Sequence, residues 1–168
     1  MEQFDTLQSA AATFQQFGCR GSENHYLFAS DQNVQNRMSA GAGGGLVGAA
    51  ISAAAQSNSS KMFLFDQGYL YVMLDVTETG IGALAVKKAG VFKKWSTARV
   101  IDGTQLFYVL YSDMQSISVK KVMGGSVLEF VLKNGASYQI RLVPKMKGLD
   151  YQESEYAAIT AKFSVPAA

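Results

Sequence analysis

Residues 105–143 read QLFYVLYSDMQSISVKKVMGGSVLEFVLKNGASYQIRLV. Apolar side chains recur at every second position: Ile117 and Val119, then Leu128, Phe130 and Leu132, then Tyr138, Ile140 and Leu142. Polar ones fill the gaps, namely Ser116, Ser118, Lys120, Glu129, Lys133, Gln139 and Arg141. A period of two is that of a strand with one face buried and one face wet. Gly124-Gly125 and Asn134-Gly135 separate the three runs. Asn-Gly accepts the positive φ angles of a two-residue hairpin turn, so the last two runs should pair directly. The stretch is an antiparallel β meander.

Upstream the same reading continues. Met62–Asp66 and Tyr69–Val76 flank Gln67-Gly68 as a hairpin, and Thr77–Gly80 forms a turn. Ile81–Lys88 and Val91–Trp95 flank Ala89-Gly90, and Arg99–Ile101 and Leu106–Leu110 flank Asp102-Gly103-Thr104. The pattern predicts seven or eight short strands, a barrel or a sandwich. Downstream, Pro144 and Gly148 break the sheet, and LDYQESEYAAITAKF begins at residue 149. Asp150 as N-cap with Glu153 three residues on predicts a reciprocal capping box. Tyr156, Ile159, Thr160 and Phe163 share a face, which predicts a helix of about three turns packed against the sheet.

The N-terminal part reads differently. Phe4, Leu7, Ala11 and Phe14 at helical spacing predict a helix over 3–17, stopped by Gly18 and packed by its Phe stripe. Residues 19–37 are polar except for Tyr26, Leu27 and Phe28, and allow a short strand followed by a loop or a helix start. His25 has no acid or cysteine at ligand spacing and reads as a surface or hydrogen-bonded histidine. Residues 38–57 are nearly all Gly, Ala or Ser, and three readings compete there. Gly43 to Gly48 satisfies G-x-G-x-x-G with Asp66 beyond, but no buried strand leads into Gly43, as a dinucleotide loop requires. Gly41, Gly45 and Gly48, with Gly44, also have the small-residue spacing that lets helix backbones approach, within one chain or between copies. The alternative reading of function is a membrane-associated protein anchored by 38–57 with its β domain in the cytosol. A flexible linker is the third reading. The packed helix is preferred, giving an extension over 1–60 and a β domain over 61–168.

Composition removes several function classes. One cysteine, Cys19, excludes an internal disulfide and a multi-thiolate metal site. One histidine leaves little for imidazole chemistry. A formal charge of +2 makes no general case for nucleic acid. MEQFDTLQS has no basic region of an export signal, so a cytoplasmic location, with membrane association open, is expected. No nucleophile, base and acid are spaced as a catalytic set. Asp66 and Asp75 are candidates for paired carboxylates across the first hairpin, but ordinary solvation explains them as well. No enzyme activity, metal or cofactor is expected.

Small antiparallel strands finished by one amphipathic helix resemble the pleckstrin-homology-like fold, and the local phrase is similar to bacterial PH and GRAM-like families. The residues that carry it are Leu110-Tyr111-Ser112-Asp113-Met114-Gln115-Ser116-Ile117, then Gly124-Gly125 and Lys133-Asn134-Gly135. Met114 stands where the phrase usually has Ile. Asp113 should bond turn amides, while Met114 and Ile117 enter the core. The resemblance covers about 62–163. It implies a mainly β, bent antiparallel barrel closed by the C-terminal helix, and a binding module without catalytic residues whose partner is a protein or a lipid surface. Phosphoinositide-binding members carry a basic-x-basic pattern on the first hairpin; here Lys61 is the only base between Lys61 and Val76, which speaks against that ligand.

One local charge signal remains. In LAVKKAGVFKKWSTARV, Lys87, Lys88, Lys93, Lys94 and Arg99 surround Phe92 and Trp95. An aromatic ring among paired lysines suits an anionic headgroup or an acidic peptide. A solvated hairpin whose lysines protect an edge strand is the competing explanation. The expected ligand-binding residues are Lys87, Lys88, Lys93, Lys94, Trp95 and Arg99.

Overall fold

The structure is a computed structural model and describes residues 2–19, 21–33, 61–65, 68–90 and 93–164. The Gly/Ala-rich stretch 38–57, Asp66 and Phe92 lie outside them. Two helices are seen, α1 (Leu7–Gln16) and α2 (Gln152–Phe163). The strands are β1 (Asn24–Asp31), β2 (Lys61–Met62), β3 (Tyr71–Thr77), β4 (Gly80–Lys87), β5 (Arg99–Val100), β6 (Phe107–Leu110), β7 (Met114–Val122), β8 (Gly125–Leu132) and β9 (Ser137–Leu142). All belong to one sheet of order β5-β4-β3-β1-β9-β8-β7, with β6 also on β4 and β2 on β9. Eight strands pair antiparallel; β2 joins β9 in parallel.

The β7–β8–β9 meander forms where the alternation places it, with Phe130 opposite Tyr138 and Leu128 opposite Ile140. The expected barrel does not close. Among the described residues nothing pairs β7 with β6 or β5, so the sheet keeps two free edges. It bends instead, and Phe107 of β6 meets Tyr138 of β9 at 5.3 Å between ring centroids.

Three local pairings also differ from expectation. Tyr71–Thr77 pairs with β1 and β4, not with the Met62 segment, whose two residues lie along β9. Trp95–Thr97 is a turn of 3₁₀ helix rather than a strand, and β4 takes Arg99–Val100 as its neighbour. β5 and β6 do not pair with each other: Val100 faces Val86 while Phe107 faces Ala83. They are one interrupted strand along a single edge of β4, and the Asp102-Gly103-Thr104 turn bulges out between them.

β1 changes the outline most. Asn24–Asp31, expected in an extension, lies between β3 and β9 in the middle of the sheet. The sheet there is covered on both sides. Leu27, Val72, Leu74, Ile81 and Ala83 face a core shared with Leu128, Phe130, Ile140 and the α2 residues Ile159 and Phe163. Phe28, Met73, Leu84 and Val86 face a second core with Phe4, Ala10 and Phe14 from the α1 region. The helix starts at Leu7 rather than at residue 3; it buries Ala10 and Phe14, Phe4 is buried ahead of it, and Leu7 remains 39% exposed. Thr6 and Ser9 form its capping box, and Gly18 at φ +90 leads out of it.

α2 starts one residue later than predicted and without the capping box: Tyr151 is its N-cap, with no side-chain cap bond. Tyr151 is occupied elsewhere, since its hydroxyl donates to the Phe4 carbonyl at 2.5 Å. Gln152, fully buried, donates through Nε2 to the carbonyls of Phe28 and Val143 and accepts the Phe28 N–H.

Candidate functional site

The basic segment begins at the end of β4. Antiparallel pairing sets Lys87 directly opposite Arg99, and both are exposed. Residues so placed have Cβ atoms about 5 Å apart, and like charges there repel. Lys88, next in the chain, turns to the other side of the sheet and holds its Nζ 4.6 Å from the centre of the Trp95 ring. Trp95 is half-buried. Its ring packs on Phe28 at 4.3 Å and Tyr71 at 4.6 Å, which ties it to the α1-side core. Lys93 and Lys94 are exposed on the turn before it, where the Lys93 N–H donates to the Gly90 carbonyl at 3.1 Å.

Tertiary structure adds two bases that the local sequence does not group with these. The Trp95 N–H donates to the Lys147 carbonyl at 3.3 Å. Gly148, at φ +92, lies so close that a Cβ there would stand 3.0 Å from Lys94 Cβ. Lys145 and Lys147 therefore join Lys93 and Lys94 at one end of the molecule, all four exposed. Lys145 reaches Glu153 at 4.0 Å, a solvent-exposed pair of little energetic weight. Lys87, Lys93, Lys94 and Arg99 make no ion pair with any described residue. Of the six predicted ligand residues, Lys88, Lys93, Lys94 and Trp95 come together, whereas Lys87 and Arg99 sit on the opposite face of the same edge. The signal that could have found Lys147 is the shared character of the two lysine clusters, but nothing local joins segments that far apart in the chain.

A second polar cluster lies under α1. Asp75, on β3 and fully buried, accepts from the Cys19 thiol at 3.2 Å through Oδ2, and its Oδ1 has no partner among the described residues. Gly82, opposite Asp75, makes room: a Cβ there would stand 3.0 Å from Cys19 Sγ. Burial pushes the Asp75 carboxyl up to about 6, the thiol bond pulling the other way. Burial, then the neighbouring Asp75, pushes the thiol well above its ordinary value. The thiolate is the reactive form, so this Cys19 is an inert core thiol. A cleft of about 270 Å³ adjoins it, lined by Gln15, Cys19, Gly21, Asn24 and Tyr26. His25 lies 2.9 Å from Glu155 and 3.1 Å from Glu23, so the lone histidine is bonded rather than poised as a ligand. The Asp113 carboxylate is exposed; it is its carbonyl that accepts the Lys133 N–H, at 3.0 Å. Met114 is buried and Ile117 packs on the core, as expected.

Among the described residues no three His, Cys, Asp or Glu side chains gather as a metal site, and no helix is long and apolar enough to cross a membrane. Comparison with protein-family profiles, curated proteins and solved structures finds no match.

Proposed function

We propose that the chain is a non-catalytic binding module of the pleckstrin-homology-like kind, and that its basic end takes an anionic surface. The observation that carries the ligand class is the charge arrangement around Trp95. No acid occurs between Glu78 and Asp102, and five bases do: Lys87, Lys88, Lys93, Lys94 and Arg99. Lys87 and Arg99 are held face to face at a cost in repulsion that a bound anion would remove. On the other face of that edge, a half-buried indole beside Lys88, Lys93 and Lys94 supplies an apolar platform for a partner that is anionic and not fully polar. The likeness to the family is supported by the order of the strands. β1 pairs with β9, the last strand, and the C-terminal helix lies on the inner face of the bent sheet.

The test uses Trp95, the one tryptophan, as reporter. Titration with vesicles of phosphatidylcholine and phosphatidylglycerol in about a two-to-one ratio should change its emission at low salt and lose the change at high salt. Lys93→Glu with Lys94→Glu should abolish it. Unchanged emission at low salt, with no binding to soluble polyphosphate either, would overturn the reading.

A further inference from the structure

The turn between β7 and β8 carries the most exposed large apolar side chain described in the molecule, Met123 at 93%. Val122 faces Gly125, so the turn is only Met123 and Gly124, with Gly124 at φ +79. It is not a loose tip. Arg141 Nη2 donates to the Met123 carbonyl at 2.6 Å, which pins the turn to β9 and leaves the thioether pointing free. Register places Lys120, Val127 and Arg141 side by side across three strands on one face, with Lys121 next to Lys120 and also exposed. Glu129, the one acid between Asp113 and Asp150, is taken by Gln139 Nε2 at 2.6 Å. The tip is therefore an apolar point ringed by positive charge.

The segment after β9 links this tip to the basic end. A Cβ on Gly125 would stand 3.5 Å from Val143 Cα, and the Lys147 carbonyl holds Trp95. Lys147 is four positions after Val143, a span of at most about 14 Å. Lys145 lies on that span.

We propose that the β7–β8 turn is a membrane-insertion point. Met123 enters the acyl boundary of an anionic phospholipid bilayer while Lys120, Lys121, Arg141, Lys145 and Lys147 lie against its headgroups. A flexible thioether buried among acyl chains gains hydrophobic free energy that a water-soluble polyanion cannot supply. The proposal rests on the anionic-surface reading above and names the bilayer as the partner.

Two variants of the full chain test it with the vesicles described above and with soluble polyphosphate. In Met123→Cys the new thiol is exposed and takes an environment-sensitive dye, whereas Cys19 is buried, and the parent chain treated in the same way is the control. Its emission should shift to the blue with anionic vesicles. Met123→Asp should bind them about tenfold more weakly and polyphosphate as the parent does. Dye that stays unshifted on a chain that sediments with vesicles overturns insertion and leaves the basic-end reading standing. A Met123→Asp loss of equal size for polyphosphate also overturns it. A parent chain that binds polyphosphate but not vesicles overturns insertion alone, and one that binds neither overturns both.

Discussion

Gln152 of α2 and Phe28 of β1 are joined twice: the Phe28 N–H donates to Gln152 Oε1 at 3.1 Å, and Gln152 Nε2 donates to the Phe28 carbonyl at 2.8 Å. β9 pairs with β1 only at Ala29, Ser30 and Asp31, then diverges after Leu142. The side-chain amide continues the ladder where the strand has left it. The same Nε2 also bonds the Val143 carbonyl at 2.9 Å, which closes the wedge between the two strands. Gln152→Ala would leave a buried N–H and carbonyl unpaired, each costing about 1–3 kcal/mol. Urea denaturation should show a loss of about 2–4 kcal/mol, with little change in the slope.

Asp75 makes stability depend on pH in the sense opposite to most carboxylates. Burial raises it from its ordinary 3.8 to about 6, so between those values the folded chain binds more protons than the unfolded one. Stability therefore falls as pH rises through that window, by up to about 3 kcal/mol. Asp75→Asn should be more stable than the parent at pH 8 and lose most of this slope. Thermal melts at pH 4, 5, 6 and 8 check both.

His25 acts in the same direction. Burial lowers its affinity for a proton, but the hydrogen bonds with Glu23 and Glu155 outweigh it, and the pKa is raised above 6.5. Its contribution is complete below 6.5 and is lost as pH rises through the folded value. His25→Gln should flatten that second, higher window in the same melts and, by removing a charge that holds Asp75 down, move the upper edge of the Asp75 window higher.

Lys87 and Arg99 oppose each other across β4 and β5. Lys87→Glu turns a repulsive pair into an attractive one and should add about 0.2–1 kcal/mol of stability. On the function proposed, it should also weaken vesicle binding severalfold. Stability gained together with binding lost is the outcome expected of a functional charge pair; equal binding would count against these two residues.

Gly148→Ala introduces a Cβ at φ +92 and 3.0 Å from Lys94 Cβ. Backbone strain of about 1 kcal/mol and the clash should push the Lys93–Trp95 turn off the Lys147 segment. The emission of Trp95 should move to the red in the variant.

The meander and α2 were legible because their chemistry is one-sided. Ile117, Leu128, Phe130, Ile140 and Leu142 alternate with polar residues since one face of β7–β9 meets water, and period two then shows in the letters. β1 offers no such pattern. In NHYLFASD the strand is buried from Tyr26 to Asp31, with α1 on one side and α2 on the other, so its apolar residues run together like those of any doubly covered strand. The candidate site divides the same way. Lys87 to Arg99 is a dense local cluster that composition reveals, while Lys147 enters it only through contact with Trp95.

Local side-chain periodicity and turn residues determined that this is a mainly β chain with one apolar-faced helix at its end, because both act over a few neighbouring positions. Long-range packing alone decided that Asn24–Asp31 is the central strand, that the sheet bends without closing, and that the Lys147 segment meets Trp95. Those relations join segments far apart in the chain, and their free energy comes from burying surfaces against each other, which neither segment records by itself.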